Sequence, residues 1–233
     1  MQIKFITAFV MGLLLVGSAF GDAGNSVYID QTNADNSTLS VTQSGSDNKF
    51  GDPTNLSSPS FVIDGNNMDL TIVQDGMGNS ITGNFIGGDS VGNISQTGNS
   101  NSTSLVYGSR GSNAGTLGIT VNGSNNTTAL TIGSTADASN YNYTLNITGA
   151  GSGTGNGNTV TSTMNSKNTT TSIALTGSTN TVTTNQSGGS GKNLAITTIG
   201  TSNNISVVQD GTNANSATIN VTGNSTTLNL TQH

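Results

Sequence analysis

The chain has 233 residues and a formal net charge of −6, with 31% hydrophobic and only 7% charged residues. Asn, Ser, Thr and Gly together supply roughly 57% of it, far from ordinary globular usage. This balance excludes a conventional mixed α/β enzyme, because helix builders are scarce and Glu is absent; five basic residues against eleven acidic ones also argue against nucleic-acid binding.

The first twenty residues differ from the rest. Lys4 precedes an almost unbroken apolar run from Phe5 to Val16, and Gly17-Ser18-Ala19-Phe20-Gly21 follows. Ala19 and Gly21 take the two small-residue positions that a signal peptidase requires, which predicts a signal peptide over residues 1–21 and cleavage after Gly21. About a dozen apolar residues are too few to span a bilayer. The expectation is a secreted, extracellular or cell-surface chain of residues 22–233 with no transmembrane segment. With no cysteine, it has neither disulfides nor thiol-based metal sites.

From there the chain repeats. Val27-Tyr28-Ile29-Asp30-Gln31 leads to Asn36, and Leu39-Ser40-Val41-Thr42-Gln43 leads to Asn48. Residues 49–60 hold both prolines, Pro53 and Pro59, and are expected to form an inserted loop. Leu70-Thr71-Ile72-Val73-Gln74 then leads to Asn79, and Ile94-Ser95-Gln96 leads to Asn101. In the middle the period persists but the punctuation changes: Ile119-Thr120-Val121 ends at Gly123, Leu145-Asn146-Ile147 at Gly149 and Ile173-Ala174-Leu175 at Gly177. Ile205-Ser206-Val207-Val208-Gln209 and Leu228-Asn229-Leu230-Thr231-Gln232 close the series. Of the seven glutamines after residue 21, all but Gln186 have an aliphatic residue two positions earlier.

Aliphatic residues and Gln at period two point to one face of a strand, while the intervening Ser, Thr, Asn and Asp face water. Gly and Asn then turn the chain. Units recur about every twelve residues, predicting an all-β solenoid of roughly 17 short strands. Stacked units would let each Gln amide bond to the next along the axis, as in cross-β stacks. A β-sandwich would explain the alternation but not the in-phase glutamines.

The units Asn25-x5-Gln31-x4-Asn36, Ser37-x5-Gln43-x4-Asn48 and Ser90-x5-Gln96-x4-Asn101 resemble curlin repeats, the subunits of curli amyloid fibres on bacterial surfaces. Gln74-Asp75-Gly76-Met77-Gly78-Asn79-Ser80 is the nearest single unit, and the resemblance is most specific over residues 25–48, 68–101 and 203–232. It implies stacked strand–turn–strand units, a head-to-tail homopolymer, an outer-membrane export pore and a surface nucleator. It also implies structural ladder roles for Gln31, Asn36, Gln43, Asn48, Gln74, Asn79, Gln96, Asn101, Gln209 and Gln232. Leu228 and Leu230 would form the terminal edge, unprotected by proline, bulge or covering helix.

Residues for chemistry are few. His233 is the single histidine, so no triad or histidine-based acid–base pair can be assembled. Asp75 and Asp210, each next to a strand-end Gln, suit turn formation and act as charge gatekeepers against aggregation. The Gly149–Gly157 stretch lacks the Lys of a phosphate loop. The expectation is a non-enzymatic fibre subunit without cofactor. Two rivals share the fold: a non-polymerising surface adhesin or viral fibre protein, and an ice-binding solenoid presenting Thr159, Thr161, Thr163, Thr181 and Thr183.

Overall fold

A computed structural model describes residues 2–5, 14–19, 24, 26–33, 35–51, 61–98, 100–108, 115–123, 125–133, 141–149, 157–165, 169–188, 191–211 and 215–233. The strands in chain order begin with β1 (Gln2–Phe5), β2 (Leu14–Ala19), β3 (Ser26–Thr32), β4 (Thr38–Ser44), β5 (Phe61–Asp64) and β6 (Asp69–Asp75). They continue with β7 (Ile81–Ile86), β8 (Val91–Gly98), β9 (Thr103–Gly108), β10 (Gly115–Gly123), β11 (Thr127–Ile132) and β12 (Tyr141–Gly149). The last are β13 (Gly157–Met164), β14 (Thr170–Thr176), β15 (Thr179–Gln186), β16 (Lys192–Ile199), β17 (Ser202–Gln209), β18 (Asn215–Thr222) and β19 (Ser225–Gln232).

The odd strands form one ten-stranded sheet and the even strands one nine-stranded sheet, each stacked in sequence order. Every pair is parallel, for example β6 on β8 and β15 on β17. This is a β-solenoid of two-strand coils. From β3 onwards the described residues form 17 strands, the number the twelve-residue spacing predicts. β1 and β2 precede these and run along β3 and β4, within the segment expected to be a signal peptide.

Alternation builds the core. In β6, Leu70, Ile72 and Gln74 are buried while Asp69, Thr71, Val73 and Asp75 are exposed. The facing inward rows of the two sheets close over a narrow apolar ribbon. Each inward aliphatic contributes roughly 1.5–3 kcal/mol by leaving water. Phe85 and Tyr107, adjacent in the odd sheet, stack with centroids 5.2 Å apart.

Coil length varies at the turns. Aligned residues lie 22 apart from Gln74 to Gln96 and 23 apart from Gln186 to Gln209. The Asn48–Asn79 coil takes 31 residues, so the extra length falls where the proline-containing insertion is expected. At the start of this expected insertion, Phe50 is fully buried and packs on Phe61 with centroids 4.4 Å apart. Pro53 and Pro59 lie outside the described residues.

Close stacking explains the turn glycines. A Cβ at Gly76 would fall 1.4 Å from the Gly45 carbonyl oxygen, and Gly76 has φ 138°. Gly98, at φ 150°, meets Gly76 in the same way one coil on. Only glycine permits both this approach and this backbone conformation.

Candidate functional site: amide columns and an uncovered coil

The strand-end glutamines separate into two columns. In the even sheet Gln43, Gln74 and Gln96 stand in register, between Ala19 on one side and Val121 on the other. In the odd sheet Gln186, Gln209 and Gln232 stand in register, preceded by Met164. Gln31 is in neither run; it pairs with Ile63 at the start of the odd sheet. Consecutive glutamines such as Gln31 and Gln43 therefore lie in opposite sheets, and ladder partners are one whole coil apart.

Within each column amides connect, except at Gln43. Gln96 Nε2 donates to Gln74 Oε1 at 3.0 Å, and Gln74 Nε2 donates to the Ser80 and Lys49 carbonyls at 2.9 and 3.3 Å. In the second column Gln186 Nε2 donates to Gln209 Oε1 at 2.5 Å, and Gln209 Nε2 donates to Gln232 Oε1 at 3.0 Å. Donors point towards the N-terminal coils in the first column and towards the C-terminal coils in the second.

Asparagines line the turns from even to odd strands. Asn79 donates to Asn48 at 2.7 Å, Asn101 to Asn79 at 2.6 Å, and Asn126 to Asn101. Further along, Asn158 donates to Asn180 at 2.7 Å and Asn180 to Asn203 at 2.8 Å. The same reversal of polarity occurs here. It leaves Asn126 Oδ1 and Asn158 Oδ1, buried on neighbouring coils, without a donor. Asn36 belongs elsewhere: it is exposed on the opposite turn, has φ 58°, and accepts from Asn67 at 3.4 Å. The expected grouping of Asn36 with Asn48 and Asn79 is corrected accordingly, because its unit turns from the odd to the even sheet.

Four asparagines of the ladder set escaped the repeat pattern. Asn126, Asn158, Asn180 and Asn203 fall where the units before them lack a strand-end Gln, and the offset of one coil is the signal that finds them. The same offset corrects the central units. Gly123 does not take the glutamine position: it stands beside Gly98, while Val121, Ile147 and Leu175 continue the Gln96 column as apolar residues.

The two ends of the stack differ. At the C-terminal coil every residue of β19 is exposed, including the inward-row Leu228 (47%) and Leu230 (44%), and β18 alternates between half-buried and exposed. At the other end Gln31, Ser37 and Gln43 are buried under the coil of β1 and β2. Even so, Gln31 Nε2, Ser37 Oγ and both amide atoms of Gln43 have no hydrogen-bond partner.

The charged residues sit at the margins. Asp75 is exposed at the end of β6, and the Asp210 carboxylate lies 3.5 Å from His233. Asp64 and Lys192 are the buried exceptions among the described residues; Lys192 is 1% exposed, with Nζ donating to the Asp210 carbonyl and to Asn215 Oδ1. Burial lowers its pKa, with the Asp210 charge acting in the opposite direction. Thr159 and Thr161 stand beside Thr181 and Thr183 on the outer face of the odd sheet, but Asn204 and Ser206 interrupt both rows on the next strand. Among the described residues no helix is long and apolar enough to cross a membrane. Compared with family models, curated proteins and solved structures, the chain finds no match in any of the three.

Proposed function

We propose that the chain is a secreted structural subunit, similar to curlin repeats, whose copies stack end to end into an extracellular fibre for adhesion or a biofilm matrix. One observation carries this proposal: the uncovered C-terminal coil presents the same aliphatic and Gln row that is buried in interior coils. A parallel strand laid on β19 would bury Leu228 and Leu230 and complete its ladder without a new kind of interface. Because such a contact does not close on itself, it generates filaments. The apolar run from Phe5 to Val16 and the small residues Ala19 and Gly21 support export with removal of residues 1–21. An outer-membrane pore and a surface nucleator are the partners implied, and neither catalysis nor a cofactor is part of the proposal.

Dye binding and electron microscopy on the purified chain of residues 22–233 test it. Unbranched, dye-positive filaments are expected. A chain that stays monomeric at all concentrations would contradict the proposal and favour a non-polymerising surface adhesin on the same solenoid.

A further inference from the structure

We infer that successive subunits in the fibre are rotated by a half turn, so that β3 of one copy continues the sheet ending in β18 of the previous copy and β4 continues the sheet ending in β19. This rests on the end-to-end assembly proposed above and on removal of residues 1–21.

The argument begins with parity. Two strands complete a coil, and β3 to β19 make 17 strands, an odd number. The strand after β19 belongs above β18, because sheets alternate along the chain. A second copy placed without rotation would set β3 above β19 and β4 two levels above β18. The strand position directly above β18 would stay empty, leaving a row of backbone donors and acceptors without neighbours. A half turn places β3 in that position and β4 on β19, and every strand then has a parallel partner. Because the two sheets run in opposite directions around the coil, the half turn keeps all pairs parallel.

The side chains of β4 and β19 fit this register, while β3 on β18 sets Gln31 over Val221 and leaves its Nε2 unpaired. With β4 on β19, Leu39 lies over Leu228, Val41 over Leu230 and Gln43 over Gln232. Gln232 Oε1 accepts from Gln209, so its Nε2 is the next donor of that column. Gln43, whose amide has no partner beside Ala19, supplies the acceptor. Ser37 Oγ, also without a partner, falls over Thr226. The unrotated stack would instead place Gln31 over Gln232; it satisfies one amide and forfeits a whole strand of backbone pairing. The half turn therefore prevails, and each subunit advances the fibre by about 41 Å at the parallel strand spacing.

The absence of cysteine makes the register directly readable. Asn229, on the outward face of β19, comes opposite Ser40 under the half turn and opposite Tyr28 without it. Partners on adjacent strands are about 4.8 Å apart, within disulfide reach. Two double variants, Ser40→Cys with Asn229→Cys and Tyr28→Cys with Asn229→Cys, are expressed from the full reading frame, assembled under reducing conditions, then oxidised and run on non-reducing gels. A series of linked multimers from the Ser40 pair and none from the Tyr28 pair is expected. Multimers from the Tyr28 pair would overturn the half turn while leaving end-to-end stacking in place. Fibres in which neither pair links would overturn both this register and the stacking of ends. Absence of fibres from the parent chain would instead remove the proposed function on which the inference rests.

Discussion

The coils of β4 to β9 and the coils of β14 to β19 follow one plan with the sheets exchanged. In the first region the glutamines occupy the even sheet, and the matching column of the odd sheet is apolar: Ile63, Phe85 and Tyr107. In the second the glutamines occupy the odd sheet, and the even column holds Leu175, Thr198 and Val221. No coil from β6 onwards carries Gln in both columns. A narrow core tolerates a row of amides where each finds partners in a neighbouring amide or in turn carbonyls such as those of Ser80 and Ser102, and Gln43 is the member left without them. The exchange carries a local penalty in the middle, where amide polarity reverses and the Asn126 and Asn158 oxygens are left without donors.

Several substitutions would sharpen or break this contrast. The apolar column should dominate stability in the first region. Phe85→Ala empties a fully buried site and is expected to cost about 3–5 kcal/mol in denaturant unfolding. A small loss would mean that the aromatic column does not support those coils. Amide columns come next. Gln209→Ala strands the buried Gln186 Nε2, at roughly 1–3 kcal/mol for a buried group left unpaired, while Gln232 on the exposed β19 turns its freed Oε1 to water. Gln43→Leu, by contrast, removes an amide without partners and should leave the isolated chain as stable as before or more so. Thr71→Ala on the wet face serves as the neutral control, within about 0.5 kcal/mol. Equal effects at positions 209, 43 and 71 would mean that the inward and outward faces are wrongly assigned.

The two buried tyrosines extend the comparison to smaller effects. Tyr107 donates to the Ser90 carbonyl at 2.8 Å, so Tyr107→Phe should cost about 1 kcal/mol. Tyr143 has an unpartnered hydroxyl, and burial raises its pKa well above the usual phenol value. Tyr143→Phe should be neutral or stabilising in the same melting experiment. Lys192 adds a pH signature confined to the second region. Its folded-state pKa is lowered, so the unfolded chain holds the proton over the window between that value and lysine's ordinary one. Stability should therefore rise with pH across that window and level off above it, and Lys192→Met should flatten the rise.

Much of this architecture was legible in the chain. Period-two alternation and the twelve-residue spacing lead directly to stacked short strands, because burial of one face leaves few alternatives for so polar a sequence. Which glutamine meets which was not legible from the repeat alone. Units such as Val27 to Gln31 and Leu39 to Gln43 are alike in sequence, yet successive units alternate between sheets, so the partner lies 22 to 31 residues away rather than twelve. In the central units the column residue is Val121, and Gly123, which closes the strand two residues later beside Gly98, does not stand in for the glutamine. Asn158 and Asn180 were hidden for a related reason: they open a strand instead of following a Gln. The uncovered row at Leu228 and Leu230 follows from the pattern itself, because an inward row with no coil above it is left to solvent.

The most direct measurement is seeded elongation of the Leu228→Asp, Leu230→Asp double variant beside the parent chain, with thermal unfolding of both as the control. These side chains are already half exposed, so the double variant should unfold close to the parent's temperature. Two carboxylates on the docking row should nevertheless stop growth at that end, because stacking would bury them unpaired. A double variant that folds like the parent but no longer extends seeds is the predicted result; elongation at the parent's rate would contradict assembly through the open coil.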